Sequence, residues 1–285
     1  MPDTSLAKNW DFKIISQWLG YNSANDKTNI IENVAVRGSQ NVYKKISGNW
    51  AVRQGQKRIG SADSTYSAVS SEFIWNTSWG ATYPIWVSNS KLQVYISGTW
   101  YSLQTGLTAT RYVFDKWWDN TEKKDRVLFV NGSSDIGSWS GGSATILSTT
   151  ANTITKTGST SWQQAGFSTT SGQKGLLING NSYTYTGGET TTTLTGVSGN
   201  PTGEANGSMV LQSIFTSSNK PASGFANDFI KVINNQLYVG SYTSRLCYIS
   251  SNTDYTNFTV PTPRVPGSPE FLTLDSTLKI GRAHV

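Results

Sequence analysis

Short runs of aromatic and β-branched residues, broken every few positions by Gly, Asn or Ser, recur along this chain, and helical periodicity is scarce. Asn41-Val42-Tyr43-Lys44-Lys45-Ile46 is followed by a Ser47-Gly48-Asn49 turn and then by Trp50-Ala51-Val52-Arg53, which reads as a hairpin. Phe73-Ile74-Trp75, Ile85-Trp86-Val87 and Leu92-Gln93-Val94-Tyr95-Ile96 form three further strands that close on Ser97-Gly98-Thr99-Trp100. A second unit runs from Tyr112-Val113-Phe114 through Val127-Leu128-Phe129-Val130 and an Asn131-Gly132 turn to Trp139. A third runs from Phe229-Ile230-Lys231-Val232-Ile233 through Asn234-Asn235, Gln236-Leu237-Tyr238-Val239 and Leu246-Cys247-Tyr248-Ile249 to Phe258. Only Trp10 to Leu19 has apolar residues spaced for a helix, with Gly20 to end it.

A chain of 285 residues accommodates one large all-β domain or two smaller ones. Charged residues make up 14% and aromatics 12%, so disorder, which goes with few aromatics and many charges, does not fit. The three units share an order of strands, and the step from residues 85–87 to residues 128–130 is close to the roughly 40 to 45 residues of a propeller blade. Blades are four-stranded sheets arranged around an axis, and three of them do not close a ring of roughly four to eight. The expected fold is therefore all-β: an incomplete β-propeller-like repeat domain with a small inserted β-domain. Its boundaries are an N-terminal arm and first blades at 1–143, the insert at 144–212, a resumed propeller at 213–279, and a terminal segment at 280–285.

The insert stands apart in composition, since 36 of its 69 residues are Thr, Ser or Gly. A flexible linker would have this composition. Trp162, Phe167, Leu176-Leu177-Ile178, the Asn179-Gly180 turn and the alternation of Tyr183 and Tyr185 predict ordered strands instead. The terminal segment has a different origin. Back-translated with ordinary codons, Ile280 to Val285 resembles a short-read sequencing adapter, so the expected reading is a gene cut at a fragment end, continuing past Lys279.

On that reading His284, the single histidine, is an artefact, and Cys247 is the single cysteine. Nucleophile–histidine–carboxylate catalysis and zinc sites of the His or Cys type then lack their parts. No disulfide within these residues is possible, and Cys247 between Leu246 and Tyr248 is expected to be a small buried hydrophobe. Asp115, Asp119, Glu122 and Asp125 offer paired carboxylates such as glycoside hydrolysis requires. The interleaved Lys116, Lys123, Lys124 and Arg126 make the stretch an exposed turn rather than an active site. No catalytic, cofactor-binding or metal-binding residue is assigned, and no segment is apolar and long enough to predict a signal peptide or a membrane span.

The net charge of +6 is concentrated in residues 37–58, where Arg37, Lys44, Lys45, Arg53, Lys57 and Arg58 stand with no acid. A solvated strand face is the plain reading, and a contact with phosphates or an acidic partner is the functional one. Trp117-Trp118 is the best candidate pair for stacking on sugars, against a plain reading in which one ring faces the core. Ser133-Ser134-Asp135-Ile136-Gly137-Ser138-Trp139 and, more loosely, Ser250 to Phe258 resemble the Asp-box turns of sialidase-like propellers, which are structural.

Taken in order, Gly20-Tyr21-Asn22, Gln40-Asn41-Val42, Arg53-Gln54-Gly55, Lys57-Arg58-Ile59-Gly60 and the stretch Asn235 to Phe258 resemble the propeller proteins of tailed-phage tails, of the nozzle or tail-hub type. Ile59 stands where that group has the proline of an Arg-Pro-Gly turn. The resemblance implies a structural, non-enzymatic virion protein, made in the host cytoplasm and assembled as a homo-oligomeric ring with other tail proteins. It also implies a passing contact with DNA through the 37–58 patch. A glycan-binding or sialidase-like β-propeller using Trp117 and Trp118 is the alternative, and a bacterial surface repeat protein is a third reading.

Overall fold

The computed structural model describes residues 69–274 apart from 89, 109, 110, 134, 218–220 and 264, together with four three-residue strands upstream. The chain divides into two compact units, residues 1–59 and 60–285. In the first, β1 (Gly20–Asn22) pairs in parallel with β2 (Val34–Val36). The antiparallel hairpin expected there joins β3 (Val42–Lys44) to β4 (Trp50–Val52), with Lys44 opposite Trp50. The helix expected at residues 10–19 lies outside the described residues, as does the terminal segment 280–285.

The second unit is all-β and contains three four-stranded antiparallel sheets and one larger sheet. Sheet 1 is a simple meander of β5 (Val69–Asn76), β6 (Thr82–Ser88), β7 (Lys91–Ile96) and β8 (Thr99–Thr105). Ser97 and Gly98, both at positive φ, do not close the unit as the sequence predicts; they turn the chain into a fourth strand. Sheet 3 repeats this plan with β19 (Phe229–Ile233), β20 (Gln236–Gly240), β21 (Leu246–Ile249) and β22 (Glu270–Thr273). Its first turn, Asn234-Asn235, has φ of 50° and 57°, which Asn tolerates better than most residues.

Sheet 2 has β9 (Val113–Asp119), β10 (Lys124–Val130) and β11 (Ile136–Trp139) in sequence, but its fourth strand, β18 (Phe215–Ser217), arrives only after the insert. The insert therefore interrupts sheet 2, between its third and fourth strands. In the insert, β12 (Ser143–Thr149), β13 (Thr153–Lys156), β14 (Gly175–Ile178), β15 (Asn181–Thr184), β16 (Thr193–Thr195) and β17 (Met209–Gln212) form one sheet ordered β15-β14-β17-β12-β13-β16. Its two ends share a single core of Ile146, Ile154, Trp162, Phe167, Leu176, Ile178, Tyr183, Leu194 and Val210, so the sheet must curl, and a register shift between Ile146 and Ser148 bends β12. A domain with a private core of this size is no linker. Asn179-Gly180, at φ of 51° and 88°, makes the predicted hairpin turn between β14 and β15.

The central sheet is buried on both faces. Along β10 every residue is buried, and the side chains alternate between two cores. Val127 and Phe129 join Trp75, Ile85, Val94 and Trp139 between sheets 1 and 2. Leu128 and Val130 join Trp117, Ile136, Ile230 and Val239 between sheets 2 and 3. The first strands of the sheets are also neighbours, β9 packing beside β19 and, less extensively, β5. Gly137 on β11 is required by this packing, since a Cβ there would sit 2.1 Å from Cε2 of Phe129 across the strand pair.

Candidate functional site

The acidic stretch of the β9–β10 hairpin is bonded to sheet 1, to sheet 3 and to the insert. The expectation of an exposed turn holds for Asn120, Thr121 and Lys123 but not for Glu122, Lys124, Asp125 and Arg126, which are buried. Each of the four acids is committed to a different neighbour. Asp115 accepts from the Val232 amide (2.8 Å) and pairs with Lys231 (3.0 Å), which ties β9 to sheet 3. Asp119 pairs with Arg126 (2.9 Å) and accepts from the amides of Thr121 and Glu122, shaping the turn. Asp125 accepts from the Ser78 amide at 2.6 Å, which ties the hairpin to sheet 1.

Glu122 reaches into the insert. Its Oε1 accepts from Ser168 Oγ (2.7 Å), Thr169 N (2.7 Å), Thr170 N (3.0 Å) and Thr170 Oγ1 (2.9 Å). Its other oxygen lies 3.4 Å from Lys124 Nζ. Burial alone would raise the carboxyl's pKa, but the Lys124 charge and the hydrogen bonds from Ser168, Thr170 and Thr169 outweigh it and hold the group at about 2. For Lys124, burial is the larger influence and lowers its pKa, while Glu122 pulls it back up. The ammonium also donates to the carbonyls of Gly166 (2.8 Å) and Phe167 (3.0 Å).

Arg126, only 1% exposed, completes the junction. It donates to Gln173 Oε1 (2.7 Å) and Ser138 Oγ (3.3 Å), and its guanidinium lies 5.9 Å from the ring centre of Tyr255 in sheet 3's last loop. Gln212 at the root of the insert uses its whole amide. It accepts from Ser168 N and Tyr185 Oη and donates to the carbonyls of Gln173 and Gly175. Held this way, the four carboxylates tie the hairpin to sheet 1, sheet 3 and the insert, and the cluster serves as a structural junction.

The predicted Trp pair is split by strand alternation. Trp117 is 1% exposed and packs edge-on against Tyr255, so its ring is removed from any surface. Trp118 points the other way and is 38% exposed. It lines a cleft of about 460 Å³ together with Trp79, an indole that the sequence reading passed over. Ser78, Glu122, Lys123, Lys124, Gln163, Gln164 and Gly166 complete the lining. The signal for Trp79 was its place in the Asn76 to Gly80 turn, where a large apolar side chain has no strand partner to cover it.

Of the basic patch, Lys44 is placed by its backbone in β3, while Arg37, Lys45, Arg53, Lys57 and Arg58 lie outside the described residues. The two Asp-box-like stretches occupy different places, the first between the second and third strands of sheet 2 and the second between the third and fourth of sheet 3, so they are not equivalent repeats. Cys247 is buried, as expected, and burial raises its thiol pKa. Among the described residues no three His, Cys, Asp or Glu side chains are grouped to hold a metal, and no helix is long and apolar enough to cross a membrane. No protein-family model matches the chain, and no curated protein matches it in sequence.

Proposed function

We infer that this chain acts by assembly, as a structural β-propeller-type protein of a tailed-phage virion, in the tail nozzle or hub. Three successive four-stranded antiparallel sheets with neighbouring first strands support the blade reading. The observation that carries assembly is the state of the two outermost sheet faces. The face of sheet 1 turned away from sheet 2 holds Ile74, Trp86, Tyr95 and Trp100, with Ile74 62% exposed. The corresponding face of sheet 3 holds Phe229, Tyr238, and the exposed Ile233 and Leu272. Apolar faces of this kind are where partners bind, whether a further sheet of the same array or a neighbouring copy in a ring. The virion setting rests on the sequence resemblance, and the 37–58 patch is its proposed contact with an acidic subunit or with DNA phosphates.

Two measurements test this. The purified chain should sediment as a discrete oligomer at micromolar concentration, and Ile74→Asp should shift it toward monomer. Phage particles purified from the source of the gene should yield its peptides by mass spectrometry. A monomer indifferent to Ile74→Asp, with peptides confined to cell lysate, refutes the reading. The sialidase-like alternative loses its candidate pair, because Trp117 is in the core.

A further inference from the structure

The cleft between Trp79 and Trp118 adjoins the junction and shares Glu122, Lys124 and Gly166 with it. Large indoles left half-exposed on two different elements, facing one pocket, are unusual on a surface unless they meet a ligand. Both are held in place. The Trp118 peptide is clamped by the Asn235 side chain, whose Oδ1 accepts from Trp118 N (3.2 Å) and whose Nδ2 donates to Trp118 O (3.1 Å). The Trp79 ring packs edge-on against the buried Trp75, with centroids 5.6 Å apart at 84°.

The polar side of the cleft is equally fixed. Lys124 Nζ and Ser140 Oγ both donate to the Gly166 carbonyl, which anchors the loop carrying Gln163 and Gln164. Gln164 is tied down by Ser161. The Gln163 side-chain amide forms no hydrogen bond, and the exposed Lys123 no ion pair, with any described residue. The one carboxylate in the lining, Glu122, is buried, its Oε1 holding four hydrogen bonds from the insert and its Oε2 paired with Lys124. Flat apolar rings, an open amide and an exposed ammonium match the faces of a pyranose, its hydroxyls and an acidic substituent, respectively.

We propose that this cleft binds an acidic oligosaccharide, with Trp79 and Trp118 stacking on sugar faces, Gln163 meeting hydroxyls and Lys123 meeting a carboxylate. The site is independent of assembly, so failure of one reading leaves the other standing. The test is calorimetric titration of the full chain with an oligogalacturonate and with a malto-oligosaccharide of the same length. Saturable binding is expected for the uronate chain and should be weaker by roughly tenfold in Trp118→Ala and in Lys123→Ala. Circular dichroism should show both variants folded, so that the loss of binding reports the cleft. Trp79→Ala should act in the same direction. The proposal is overturned if neither sugar binds, if the neutral chain binds as well as the acidic one, or if Trp118→Ala binds like the parent.

Discussion

Glu122→Gln isolates what the buried junction contributes. The substitution keeps the side chain's volume and one acceptor oxygen but removes the charge against which Lys124 is buried. A carboxyl held at about 2 in the folded chain, against an ordinary 4.5, contributes about 3 kcal/mol at neutral pH. The retained Gln oxygen still accepts from the insert and offsets part of this, while Lys124, buried in both proteins, loses the charge that pulls its pKa back up, so the expected loss is about 2 to 3 kcal/mol. The sign with pH follows from the depressed value. The contribution is complete above the unfolded carboxyl's pKa of 4.5 and is lost as pH falls toward the folded value of about 2. Urea unfolding at pH 7 should therefore separate parent and variant by about 2 to 3 kcal/mol, and at pH 3 by roughly 1 kcal/mol. Amide exchange at Thr169 and Thr170 should accelerate in the variant, because their N–H groups lose a charged acceptor. Equal stabilities at pH 7, or a gap that does not change with pH, would refute the assigned role.

Gly137→Ala should destabilise by about 1 to 3 kcal/mol, since the added methyl meets the Phe129 ring within a packed core and displaces it; thermal unfolding measures this. Cys247 should resist a thiol reagent in the native chain and react fully once unfolded, and fast native labelling would contradict its burial.

Strands whose residues alternate between two apolar faces were legible in the sequence, as with Val127 to Val130 and Leu92 to Ile96. The fourth strand of each sheet was not. Thr99–Thr105 is largely polar and half-exposed, Phe215–Ser217 is only three residues long and distant from its partner β11, and Glu270–Thr273 follows a proline-rich loop. The site was misjudged for a different reason. Lys124, Asp125 and Arg126 have the composition of a solvated turn, and what buries them includes a loop more than 40 residues later, at Gly166 to Gln173. No local pattern encodes such a cover. The alternation of Trp117 and Trp118, by contrast, was readable, and only its polarity, which ring faces in, needed the register of β9 on β10.

The insert leaves sheet 2 and returns to it almost at the same point, with Gln212 N donating to the Gly142 carbonyl at 2.8 Å. To the surrounding frame, a domain of this size looks like an ordinary tight loop, and a graft with such closely spaced ends can be enlarged or replaced without moving β11 or β18. Yet Glu122, Lys124 and Arg126 have turned inward to grip it. Excising the insert would hand three charged groups back to water and strip the cover from one edge of the central sheet. What was a detachable ornament in its connectivity has become, in its electrostatics, part of the wall.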